Sequence, residues 1–235
     1  MFDTPTYVPC VEGRQRAAPH SSEFPPTEAP LQTLHMDVWG PARVRGQGHE
    51  RYFLLVIDDY SLYTTVFPLR SKGEVTEVLI DWIRNTRRQL SESFGSDLPV
   101  LCLHSDRGGE FSSDLLRAFL LCRGHPPYIH TSGPPHRKMG LLSAALAWSW
   151  TSLYAAHQIN LQPRVSLAET TPTLRWMGKV GDASVFRVWG SRAFIRVTSA
   201  NKLSSRAVPC VFLGFPPDAL GWQFYHPTSR RVLSS

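Results

Sequence analysis

The residues best placed to do chemistry in this sequence are two aspartates. Asp106 follows the apolar run Val100-Leu-Cys-Leu103, which reads as a strand buried on both faces, and Gly108-Gly109 breaks the chain just beyond it. Ser112 or Ser113 is then placed to cap a following helix. Asp37 lies in Leu34-His-Met-Asp-Val-Trp-Gly-Pro41, a second strand-like stretch that Gly40-Pro41 ends. In open α/β sheets ligands gather outside the carboxyl ends of the strands, where the backbone opens and neighbouring ends converge. Two aspartates on adjacent strands suggest a divalent-metal site there. Either one alone reads more simply as a strand-end carboxylate capping a turn.

The elements that would position them follow from patterning. Strands are expected at about 34–39, 51–57 and 63–69, the first two joined by a turn at Gly46-Gln-Gly48. The short connections make them antiparallel neighbours. Ser71-x-x-Glu74 is a capping box that opens a helix ending near Gly95. Val75, Val78, Leu79, Trp82, Ile83 and Leu90 recur on one face of it, with Arg84, Arg87 and Arg88 displaced from that face. The strand leading to Asp106 comes next, then a helix at about 114–123. After Trp176 the chain changes character, with short apolar runs at 185–188, 193–197, 208–212, 222–225 and 231–233 separated by Gly, Pro and Asn. That pattern predicts a small β-barrel or curled sheet.

Three motifs give the sequence a family resemblance. His35-x-Asp37-x-x-Gly40-Pro41, Ile57-Asp58-Asp59-Tyr60-Ser61 and Ser105-Asp106-x-Gly108-Gly109-Glu110-Phe111, in that order and spacing, resemble the integrase of copia-type LTR retrotransposons. Phe186-x-Val-x-Gly190, Cys210-x-Phe-Leu-Gly214 and Tyr225-x-Pro227 resemble the small barrel of Src-homology-three type that follows that core. The resemblance implies an α/β fold, a ribonuclease-H-like core of mixed sheet and flanking helices, followed by that barrel. It divides the chain into an extended lead-in at 1–33, a catalytic core at 34–153, a residual helical linker at 154–180 and the barrel at 181–235. Its implied activity is Mg²⁺-dependent joining of element DNA ends to target DNA. The implied partners are DNA and further copies of the chain, and the implied location is the nucleus.

In such enzymes two Mg²⁺ ions stabilise the attacking and leaving oxygens of a phosphodiester, held by two Asp and one Glu. By resemblance Asp37 and Asp106 are the catalytic and metal-binding aspartates. Asp58 and Asp59 are expected to be structural, and Glu110 lies too close to Asp106 to replace a carboxylate from a separate helix. The third carboxylate is expected near Leu142, yet no Asp or Glu occurs between Asp114 and Glu169. A codon choice compatible with Pro135 to Ala145, read one base earlier, encodes Pro-Gln-Glu-Asn-Gly-Ile-Ala-Glu-Arg-Arg. That restores the family motif, with its Glu codon straddling Leu142 and Ser143. Residues from about 125 to 153 then read as out-of-frame translation, the Ala- and Leu-rich part at 141–153 still suited to a helix. An integrase core inactive for want of its third carboxylate is the implied outcome. The alternative is a non-catalytic remnant that binds nucleic acid or another partner.

Composition sets the outer bounds. With 42% apolar and 19% charged residues, the 235-residue chain is globular and long enough for one good core or a core plus a small second unit. The net charge of +6 comes mostly from arginine, which suits phosphate contacts, although arginine-rich codon usage explains it equally well. The four cysteines are too scattered for a disulfide framework. Cys10 resembles the end of the family's His-His-Cys-Cys zinc region, but Tyr7 stands where the first cysteine belongs and no histidine pair precedes it, so no zinc is expected. No N-terminal apolar run is long enough for a signal peptide or membrane span, so an intracellular protein with no membrane partner is expected.

Overall fold

The computed structural model describes residues 27–43, 45–46, 48–95, 98–105, 111, 113–121, 128–131, 149–196, 207–215 and 221–234, with backbone alone at 128–131 and 149–152. Five strands form the first sheet: β1 (Thr33–Trp39), β2 (Tyr52–Asp58), β3 (Thr64–Leu69), β4 (Cys102–Ser105) and β5 (Tyr128–Thr131). Their order is β3-β2-β1-β4-β5, antiparallel across the first three and parallel from β1 through β4 to β5. An antiparallel meander extended by parallel strands in this order is the ribonuclease-H-like arrangement, as expected. Gly40 ends β1 at φ 135°, where a Cβ would stand 2.6 Å from the Arg51 carbonyl oxygen and from the Tyr52 ring.

Helix α1 (Val75–Phe94) begins on a short 3-10 turn whose entry is the expected capping box, with the Ser71 amide donating to Glu74 at 3.1 Å. Gly95 stops it at φ 86°. Leu79, Ile83 and Leu90 bury against Leu34, Leu54 and Val56 on one face of the sheet. Helix α2 (Asp114–Leu121) adds Leu116 and Leu120 to the same cluster, and Ser113, one of the two serines expected to cap it, accepts the Leu116 amide at 3.2 Å.

The other face is covered by helix α3 (Ser149–Leu161), whose Ala156 packs with Phe53, Leu55, Ile57 and Val66. Residues Phe53 through Asp58 of β2 are therefore all buried, sandwiched between two helical layers. The boundary expected at 153/154 falls inside α3, which packs on the core sheet. The backbone of 128–131, within the stretch read as out of frame from about 125, pairs in register with β4 as the fifth strand. Residues 132–148, including the expected site of the lost Glu, lie outside the described residues.

Helix α4 (Pro172–Met177) follows, capped by Thr171, and its Trp176 stacks between Tyr63 and Trp82. The second sheet is an antiparallel meander of β6 (Arg192–Arg196), β7 (Ala207–Gly214), β8 (Gln223–His226) and β9 (Arg231–Ser234). The run at 185–188 is not a strand. Phe186 instead meets the Tyr154 ring edge-on, and the Arg187 amide donates to the Tyr154 hydroxyl at 2.9 Å, tying this segment to α3. Tyr154 also packs edge-on against Phe212 of β7, so one helix contacts both sheets. Among the described residues no helix is long and apolar enough to cross a membrane.

Candidate functional site

The strand pairing of β1 with β4 sets up the site. Met36 and Ser105, the residues that precede the two expected metal-binding aspartates, are Cα partners in the parallel register. Asp37 is half-buried on β1 opposite Leu55 of β2. Asp106 lies outside the described residues, as does Glu110. β4 is central because β1 and β5 flank it, so it delivers the chain to the carboxyl end of the sheet, where a ligand is expected.

One step back along both strands is a pair of histidines. His35 and His104 are Cα partners whose rings lie 5.2 Å apart, and His35 is on the same face of β1 as Asp37. Asp59 stands 3.0 Å from His35 Nε2 with Oδ1 and accepts the Thr27 hydroxyl at 3.0 Å with Oδ2. A carboxylate at that distance fixes the proton on Nε2 and orients the ring. Asp59 was expected to be structural, and it does hold a side chain in place, but that side chain borders the site. His104 was not singled out by the sequence reading. Strand alternation was the available signal, since residues two apart share a face.

Asp58 fulfils the structural role. It is 1% exposed and accepts three hydrogen bonds, from the Leu31 amide at 2.8 Å, the Ser61 amide at 2.8 Å and the Ser61 hydroxyl at 2.7 Å. Its own amide hydrogen bonds to the Tyr63 carbonyl and its carbonyl accepts from Leu62. Leu31 and Leu62 are both buried at positive φ, 70° and 58°, a conformation unfavourable for leucine that this node holds in place. Burial pushes the Asp58 carboxyl up to about 6, against the donated hydrogen bonds that hold it down. Cys102, two residues before His104, is a buried thiol pushed up to about 11 by burial.

As a magnesium centre the described residues fall short. Mg²⁺ needs several hard oxygen donors converging on one point. Among the described residues, no group of three or more His, Cys, Asp or Glu side chains is arranged to hold a metal ion. Asp37 is one carboxylate of the expected three, and the nearby nitrogen donors suit softer ions. The arrangement provides a rigid strand-end platform, with no step through a metal derivable from it.

The chain is similar to several known proteins. A family model described as "Retroviral polymerase SH3-like domain" matches residues 191–235, the second sheet. Over 96% of the chain, the sequence is 25% identical to the retrovirus-related Pol polyprotein from transposon TNT 1-94 of Nicotiana tabacum. It is also 25% identical, over the same share, to that from transposon RE1 of Arabidopsis thaliana. The chain spans only 18% and 16% of the lengths of these two relatives. A shorter match, 27% identical over 44% of the chain and 6% of the relative, is to the Ty1-NL2 Gag-Pol polyprotein of Saccharomyces cerevisiae. Among solved structures, the HTLV-2 integrase catalytic core domain, in complex with magnesium and in a trimeric form, is similar over 63% of this chain and 97% of that one. The identity there is 15% and the TM-score 0.41.

Proposed function

Because the homologues of this chain are retrovirus-related Pol polyproteins of copia-type plant transposons, we propose that it is an integrase region descended from enzymes that join element DNA ends to target DNA. The observation that carries this reading is the Met36–Ser105 register. It supports Asp37 and Asp106 as the two aspartates of a shared strand-end site, followed in the chain by an SH3-like sheet. In the ancestral reaction Mg²⁺ would be held by those aspartates and a Glu, and would carry charge from the attacking and leaving oxygens.

This chain lacks the Glu, since no acidic residue occurs between Asp114 and Glu169, and it is catalytically inactive on this reading. Its remaining activity is binding of DNA, as a self-associating protein acting in the nucleus. The experiment has two arms. The codons for 124–154 are sequenced, and strand transfer is assayed in Mg²⁺ for the chain as it stands and for a chain with the shifted motif restored. No transfer by the first and measurable transfer by the second support the reading. Transfer by the unrestored chain overturns the inactivity, and codons that encode no Glu-containing motif overturn the frameshift.

A further inference from the structure

The charge of this protein is concentrated in its last quarter. Residues 181–235 hold seven Arg and Lys against two Asp and no Glu, so five of the chain's six net positive charges belong to the second sheet and its loops. The core, which contains the strand-end site, is close to neutral.

Within that unit the described arginines are ordered. Arg192, Phe194 and Arg196 share the exposed face of β6, and the intervening Ala193 and Ile195 are half-buried. The partners of the three exposed residues on β7 are Val211, Pro209 and Ala207, none with a side chain long enough to cover the Phe194 ring. Phe194 is 61% exposed, and the Arg192 guanidinium lies 5.0 Å from its centroid. Trp189, 43% exposed, stands just ahead of the strand. A phenylalanine kept open on a sheet face costs solubility and contributes nothing to either described core cluster.

Guanidinium, ring, guanidinium along one strand repeats the alternation of phosphate, base and phosphate along an unpaired nucleic-acid strand. We propose that the Arg192–Phe194–Arg196 face is a stacking platform for single-stranded DNA, the ring taking a base and the two arginines its flanking phosphates. Base–aromatic stacking needs a free base face, which a duplex keeps within its own stack. Sequence readout is not required, because every base has a π-face. The assignment rests on the DNA-binding part of the preceding reading and adds to it the form of DNA and the surface that takes it.

The test is fluorescence anisotropy of the full chain with a labelled oligothymidylate and with a blunt duplex of the same length, at several salt concentrations. Phe194→Ala is expected to weaken single-strand binding roughly tenfold and leave duplex binding within about twofold. Phe194→Trp is expected to retain or strengthen it. Arg192→Ala and Arg196→Ala each weaken both probes and lower the single-strand salt slope by roughly 0.7. The ring is solvent-facing, so circular dichroism of the variants should match the parent. Equal affinity of Phe194→Ala and parent for the single strand overturns the platform while leaving duplex binding, and the function proposed above, intact. Absence of binding to either probe removes both. Concentration-dependent self-association that Phe194→Ala abolishes, with no effect on DNA, reassigns the face to a second copy of the chain and likewise overturns the proposal.

Discussion

Asn160 of α3 hydrogen bonds to both backbone groups of Thr64 on β3, accepting its amide at 2.8 Å and donating to its carbonyl at 2.7 Å. The two residues are 96 apart in sequence, and both are buried. β3 is an edge strand, so an amide side chain here completes hydrogen bonding that the sheet leaves open. The Asn160 backbone carbonyl in turn accepts the Thr173 hydroxyl at 2.8 Å, which ties α4 to the same point.

Asn160→Ala would leave a buried N–H and C=O of Thr64 without partners and open a small void. A loss of about 2–4 kcal/mol is expected. Urea unfolding followed by tryptophan fluorescence gives the value, and a loss under 0.5 kcal/mol would mean that water replaces the side chain at no cost.

Asp58 gives the fold a pH dependence whose sign follows from its raised carboxyl. Between the ordinary value of 3.8 and about 6, the native state binds the proton and the unfolded chain releases it. The contribution of Asp58 is therefore complete below pH 4 and falls as pH rises through about 6, by roughly 3 kcal/mol. Asp58→Asn removes this segment. The stability of the parent relative to the variant should decline between pH 4 and pH 7, and a parallel pair of curves would show that the donated hydrogen bonds cancel the effect of burial.

Gly214 sits at φ 120° at the end of β7, and a Cβ there would lie 3.1 Å from the Tyr154 ring. Gly214→Ala combines backbone strain with crowding at the joint between the two sheets. A cost of about 1–3 kcal/mol is expected, read as a lowered midpoint in chemical denaturation. Adding Tyr154→Ala relieves the crowding but not the φ, so the double variant should cost less than the sum of the two single changes.

Magnesium should do little to this chain. With its carboxylate set incomplete, a dissociation constant above 10 mM is expected, so 10 mM Mg²⁺ stabilises by less than about 0.4 kcal/mol. Thermal unfolding in Mg²⁺ and in EDTA measures this, and a Mg²⁺-dependent rise of several degrees that Asp37→Asn abolishes would reveal a working site.

Much of this molecule was set locally. The alternation of 34–39, the continuous apolar run of 53–57, the Ser71-x-x-Glu74 box, the glycine at 95 and the apolar stripe of α1 each act within a few residues, and each element formed within one or two positions of where its residues placed it. The absence of an acidic residue from 115 to 168 is likewise a property of sequence alone. Only tertiary structure decided that α3 is a core layer. Its polar and apolar residues are not segregated onto separate faces, so periodicity named no buried face, and the partners that chose one, Phe53, Leu55 and Thr64, are about 100 residues away. The same holds for β5, whose four residues gain strand geometry from pairing with β4, and for the His35–His104 contact. Parallel register across 69 positions is set by how two helices pack on a sheet, a constraint that no local window of sequence contains.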